Sequence, residues 1–307
     1  MSATAPAPRI LCAGIIVLDE VFYVEEFPRP DSKVEAKDFF IVNGGCAGNA
    51  AVAIARLGGR AMLAGPLGGP AGKDGNGDRV LAALARERVD TGACQRVDGL
   101  ATALSAIFVD ARGDRTIVTY RDHRIAAAAP DDPQALVAGA DLVLADNRYP
   151  QFVRPICEAA RARKLRIVLD ADKPAAANDP LFRLATHVVF STECLTATSG
   201  CGDLAEGLQR MAQETDAFLA VSNGPHDILF LESRMLARVP VFPVRAVDTL
   251  AAGDALHGGF ALALAEGRSE AEALRFGAAV AGIKCSRMGG SAGAPSRAEV
   301  EAMLAKS

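Results

Sequence analysis

From Asp131 to Val221 short apolar runs alternate with stretches of helical periodicity. The runs are Leu142–Ala145, Arg166–Leu169, His187–Phe190 and Ala217–Val221, and the longest intervening helical stretch is Pro150–Arg163. Strands joined through helices must run parallel, because each crossover returns the chain to the same end of the sheet. The expected fold class is therefore α/β, a parallel sheet with crossover helices. In such sheets ligands bind beyond the carboxyl ends of the strands. Asp146-Asn147-Arg148 and Asp170-Ala171-Asp172 fall just after two of the runs. The Asp170/Asp172 pair reads either as metal ligands or as a strand-end turn.

The N-terminal half is less regular. Ile10–Leu18 is a continuous apolar run around Gly14 and predicts one buried parallel strand, ended by Asp19. Val21–Val24 and Val34–Val42 predict two strands across a Pro-rich turn, Phe27–Lys33. Charged residues alternate with apolar ones in the second, so this pair projects from the main body. Ala103–Val109 and Thr116–Tyr120 flank a polar turn and predict a hairpin, as do Ile228–Leu231 and Met235–Val239. Asn43-Gly44-Gly45-Cys46-Ala47-Gly48-Asn49-Ala50 opens a helix, predicted over Ala51–Leu57, that Gly58-Gly59 stops. Its glycine spacing is wrong for a dinucleotide fingerprint. Gly68–Gly77, which leads into a helix over Asp78–Arg88, fails as a P-loop. There Lys73 precedes Asp74 instead of Ser or Thr, and Leu67 stands where the leading Gly belongs.

The net charge of −4 supplies no basic field, which argues against nucleic acid or anionic lipid and for a small substrate. The seven cysteines include no Cys-x-x-Cys pair, so neither zinc nor a disulfide framework is indicated. No apolar run reaches membrane-spanning length, and the Ala/Pro-rich tail Met1–Arg9 lacks the apolar core of a signal peptide. A cytoplasmic chain with free thiols is expected. Its 307 residues, 50% hydrophobic, suffice for one large domain over 1–307.

Val247-Asp248-Thr249-Leu250-Ala251-Ala252-Gly253-Asp254 is a run of small residues that leads into the apolar helical pattern from Ala255 to Phe260. A helix start presents unpaired N–H groups and the positive end of the dipole, a site for anions. Asp254 in that turn reads in two ways, as a base that takes the proton of an attacking hydroxyl or as a helix-capping acid. Asp248–Asp254 resembles the C-terminal signature of the ribokinase-like (PfkB) sugar kinases, Asp-Thr-x-Gly/Ala-Ala-Gly-Asp. Gly44-Gly45 with Asn49 is similar to their N-terminal signature, Gly-Gly-x-x-x-Asn-x-Ala, in the family's order. Gly72, Asp74 and Gly77 match its Gly-x-Asp-x-x-Gly. The resemblance runs from Gly14 to Ser291.

It implies a doubly wound sheet with a small β lid from segments 20–42 and 103–120, and transfer of the γ-phosphoryl of ATP to a sugar hydroxymethyl group. Asp254 would be the base, and the amides of Ala251, Ala252 and Gly253 the anion hole. Asp19, Gly44, Gly45 and Asn49 would hold the sugar, and Ser222, Gly224, Thr249, Cys285 and Gly289 the nucleotide. Magnesium would bridge the phosphates, with a potassium ion near Asp248 built on main-chain oxygens. Many such proteins carry Asn-x-x-Glu for the magnesium water shell; here Ser191 and Cys194 stand in those places, leaving Glu193 as an imperfect substitute. Ketohexokinases lack that motif too, and with Gly14–Asp19 its absence resembles the ketohexokinase and sulfofructose kinase branch. If the sugar is anionic, Lys33 and Arg148 are candidates to bind the anion; each is otherwise a solvated loop residue. A homodimer through the lid is implied. A catalytically silent sugar or nucleotide sensor is the rival of another class, and the presence of Asp254 argues against it.

Overall fold

The computed structural model describes residues 6–306, so most of the Met1–Arg9 tail lies outside the described residues. The chain runs β1 (Arg9–Ala13), β2 (Val17–Tyr23), β3 (Asp38–Gly44), α1 (Cys46–Arg56), β4 (Arg60–Ala64), β5 (Pro66–Gly69), α2 (Gly75–Arg86), β6 (Gln95–Asp98), β7 (Ala103–Val109) and β8 (Arg115–Tyr120). The second half continues with α3 (Pro133–Val137), β9 (Leu142–Asp146), α4 (Pro150–Ala162), β10 (Arg166–Ala171), α5 (Pro180–Leu184), β11 (His187–Ser191), α6 (Thr192–Ser199), α7 (Leu204–Met211), β12 (Phe218–Asn223), β13 (His226–Glu232) and β14 (Met235–Val239). It closes with α8 (Ala252–Ala265), α9 (Glu270–Cys285) and α10 (Arg297–Leu304).

Eight strands form the main sheet in the order β14-β13-β12-β11-β10-β9-β1-β4, parallel from β12 to β4. Side chains alternate along each strand, so every strand feeds two cores. Ile10, Cys12, Leu142 and Leu144 pack with α1, α8 and α9, while Leu11, Ala13, Val143 and Ala145 pack with α4 to α7. That is the doubly wound arrangement. From β1 the chain goes to β4 on one side, and from β9 it runs to β12 on the other. The switch point, where ligands of such sheets bind, is therefore between β1 and β9.

Segments 20–42 and 103–120 do join in one separate sheet, in the order β3-β2-β7-β8, with β2 and β7 parallel at its centre. Several boundaries differ from expectation. The run Ile10–Leu18 is not one strand: β1 ends at Ala13 and β2 begins at Val17 in the small sheet. Asp146, at the end of β9, makes the break. Its Oδ2 accepts the Ile15 N–H at 2.8 Å, and a Cβ on Gly14 would collide with this carboxylate. Both halves of the run are buried, one in each sheet, so an apolar pattern cannot reveal the exchange. Asp19 accordingly lies within β2, not past the end of a main-sheet strand. The strand expected from Val34 starts at Asp38, which leaves Lys33 in irregular chain. The helix expected from Ala51 begins at Cys46. Lys284 and Cys285 are the last residues of α9. β4, β5 and β6 had no predicted counterpart.

Candidate active site

The turn ahead of α8 is fixed by Asp248. Its Oδ1 accepts the Leu250 N–H at 2.8 Å, and its Oδ2 accepts the Gly290 N–H at 3.0 Å and the Tyr23 hydroxyl at 3.2 Å. Ala251 caps the helix in the left-handed region at φ 61°. For a residue with a Cβ this costs about 1–2 kcal/mol, strain of a kind that collects at functional sites. The first i→i−4 bond comes from Ala255 to Ala251. The amides of Gly253 and Asp254 thus have no helical partner, as at any helix start.

Asp254 faces this end of the sheet beside Asn49 of α1, whose Nδ2 donates to its Oδ2 at 2.7 Å. Asn49 is itself held by the Asn43 amide at 3.2 Å, and Asn43 by the Ser291 hydroxyl at 3.2 Å. Burial pushes the Asp254 carboxyl up to about 7, and neighbouring Asp170 adds to the rise; the Asn49 bond and His257 oppose it. Asp146 is likewise raised to about 6 by burial. His257, three residues on, contacts the Gly253 carbonyl through Nδ1 at 2.7 Å. Its Nε2 lies 3.2 Å from the Val189 carbonyl and 3.5 Å from Asp170. Sequence reasoning missed this histidine, although its place one turn past Gly253 in an apolar helix was a usable signal.

A cavity of about 370 Å³ opens in front of Asp254, lined also by Asp19, Asn49, Ser105, Arg121 and the Thr249–Gly253 turn. Asp19 is buried, bonded to Ser105, and pushed up to about 6 by its burial. Gly44 runs against it, and a Cβ there would overlap the carboxylate. Gly45 caps α1 at φ 82° and also lines the cavity. Three arginines reach this cavity. Arg115 donates to Thr249 and Arg148 pairs with Asp172. Arg121 has a buried Nε without a hydrogen-bond partner. In the sequence Arg115 belongs to a polar turn and Arg121 to a charged cluster, Tyr120–Arg124, that reads more readily as a solvated face than as a site.

Other expected contributors lie elsewhere. Lys33 is exposed and lines no part of the cavity. Ser222 and Gly224 belong to the end of β12 and its turn, away from the cavity wall. The Cys285 carbonyl accepts the amides of Val247 and Asp248, and the Gly289 N–H donates to Tyr23. Of the five nucleotide candidates only Thr249 lines the cavity. Glu193 is exposed in the first turn of α6 and does not enter it. Hard oxygen donors do occur nearer by. Cys46, Asp170 and Asp254 each bring one ligand atom to within 4.8 Å of the others. The two carboxylates suit the water shell of a magnesium ion, which takes oxygen ligands; the thiol does not. A potassium ion fits Asp248 poorly, since its carbonyl already accepts the Lys284 ammonium at 2.7 Å.

Comparison with known proteins agrees with this geometry. A family model described as pfkB family carbohydrate kinase matches residues 7–297. The ribokinase of Bacillus subtilis is 28% identical over 300 residues, covering 96% of this chain and 99% of its own. The ketohexokinase of Mus musculus is 27% identical over 297 residues, covering 92% and 97%. A crystal structure from Agrobacterium tumefaciens, whose protein carries a provisional ribokinase name, superposes with a TM-score of 0.92 at 36% identity over 98% of each chain.

Proposed function

The chain belongs to the pfkB family of carbohydrate kinases, and from that premise we propose that it transfers the γ-phosphoryl group of ATP to a hydroxymethyl group of a sugar. Members of the family are phosphotransferases with an alcohol acceptor. The observation that carries the reading is the Asp254 carboxylate: it opens α8 on the cavity, is held by Asn49, and has its pKa lifted to about 7. A base poised near neutrality can take a hydroxyl proton as the oxygen attacks phosphorus. The new O–P bond forms as the bond from phosphorus to the bridging oxygen breaks, and ADP leaves with that electron pair. The unpaired amides at the start of α8 stabilise charge on the transferred phosphoryl oxygens. Asp19 and Asn49 hold sugar hydroxyls, with Gly44 and Gly45 allowing close approach. Thr249 is the nucleotide contact that the cavity supports. Magnesium bound with the nucleotide would supply charge neutralisation, and Asp170 would be the acid available to its water shell, which leaves Asp254 free as the base.

One observation favours a narrower substrate class. Arg121 stands in the cavity wall with a buried, unpartnered Nε, so it suits an acceptor with a carboxylate, phosphate or sulfonate. This role passes from Lys33, which is exposed, and from Arg148, which is neutralised by Asp172. The small sheet serves as the lid, and a second copy of the chain covers its outer face. An ATP-consumption screen over ribose, ketoses, nucleosides, 2-keto-3-deoxygluconate and sulfofructose tests both readings. Turnover with a neutral sugar alone would remove the anionic reading, and no turnover with any acceptor would favour the sensor. Arg121→Met should raise KM selectively for an anionic acceptor, by roughly ten- to a hundredfold for one lost charge-assisted contact.

A further inference from the structure

Lys284 has 0% exposure and is the one buried lysine among the described residues. It stands one residue from the end of α9, where the segment before α8 crosses the segment after α9. Its ammonium donates to the Asp248 carbonyl at 2.7 Å and lies 3.2 Å from Asp248 Oδ2. Asp248 is 2% exposed, and its remaining bonds reach Leu250, Gly290 and Tyr23. The Val247 and Asp248 amides donate to the Cys285 carbonyl, which closes the crossing from the other side. Two charges taken this far out of water are tolerated only as a pair.

The resemblance led to a different expectation, a potassium ion on main-chain oxygens near Asp248. The residues present do not fit it. A cation that used the Asp248 carbonyl would meet the Lys284 ammonium at contact distance, and like charges repel strongly in so dry a place. The ammonium already does electrostatically what such an ion would do. It offsets the buried Asp248 charge and ties the pre-α8 turn to the end of α9. That turn holds Ala251 and leads into the free amides of Gly253 and Asp254.

We propose that Lys284 is a built-in replacement for a monovalent cation, a positioning residue that sets the α8 turn and makes the protein independent of potassium. For catalysis the proposal rests on the kinase reading; for cation binding it stands on the Lys284–Asp248 geometry alone. The test compares thermal melts, and phosphoryl transfer once an acceptor is known, in KCl and in choline chloride at equal ionic strength. For the parent, superimposable melts and equal rates are expected, and a saturable rise of either with K⁺ overturns the proposal. Lys284→Ala opens room beside Asp248. In choline its stability should drop and its activity fall at least about tenfold, the cost of a lost charge-assisted contact. Added K⁺ should restore both, saturably. Equal losses in the two salts would make Lys284 a structural pin only, and no loss would make it dispensable; either result overturns the proposal. If the variant does not fold, parent melts in KCl, RbCl and choline chloride decide the matter. Because melts need no substrate, failure to find an acceptor leaves this test intact.

Discussion

At the scale of single residues the chemistry rests on acids that are costly to ionise where they sit. Asp254 titrates near 7, and Asp19 and Asp146 near 6, all raised first by burial. The base proposed at Asp254 needs its carboxylate deprotonated, so kcat/KM should rise with pH through about 7 and level off above it. A pH profile flat from about pH 5 to about pH 8 would remove Asp254 from that role. Stability carries the opposite sign. Between its ordinary pKa and its raised one the folded state binds more protons than the unfolded state. The stability this group contributes is present at low pH and lost as pH rises through about 7. Asp254→Asn lacks that loss and keeps an oxygen for the Asn49 amide. Its melting temperature relative to the parent should therefore climb between about pH 5 and about pH 8. Parallel melting curves across that range would contradict this. Asp254 and Asn49 were legible because each stands in a dense motif. Lys284 and Arg121 were not, because a lone cation in a polar stretch is usually solvated and its burial depends on distant segments.

At the scale of elements two joints position the site, the break between β1 and β2 and the turn into α8. The alternation of β9 to β12 with helices was legible because each strand is a clean apolar run. The break at Gly14 was not, since its cause is Asp146, 131 residues beyond the Ile15 amide that it accepts. The close passage of β3 by Asp19 gives a test at this scale. Gly44→Ala puts a Cβ into the Asp19 carboxylate, so the acid or the strand must shift. Overpacking of this kind costs about 1–3 kcal/mol. KM for the acceptor should rise at least about tenfold as the contact is lost, while KM for ATP stays near the parent value. Steady-state kinetics in both substrates checks this, and an equal rise in the two would mean that the site as a whole had collapsed.

At the scale of the molecule the small sheet has two unlike faces. Val17, Asp19, Ser105, Ile107, Ile117 and Thr119 line the cavity. The opposite face carries Phe22 between Phe39, tilted against it at 4.7 Å between ring centroids, and Phe108, stacked on it at 5.5 Å. Beside them Val118 is 62% and Tyr120 59% exposed. These exposed apolar side chains are what a second copy would cover in the proposed homodimer through the lid. Val118→Glu should turn a dimer into a monomer in light scattering; a parent that is already monomeric would refute the assembly. Sequence placed strands near 20–42 and 103–120, because period-two patterns are local, although β2 begins at Val17 and β3 only at Asp38. It could not show that the two segments pair in parallel, or that their outer face stays apolar.

One variant decides whether Asp254 is the proposed base. Asp254→Asn keeps the shape and the Asn49 bond but cannot take a proton. With the acceptor found by the screen, kcat should fall at least about a hundredfold. ATP affinity should hold or improve, since a negative charge beside the phosphates is gone. If Asp254 serves only to hold Asn49 at the start of α8, Asn offers an oxygen there too, and kcat should stay within a few-fold of the parent. That result would contradict the mechanism and the enzyme reading of this site.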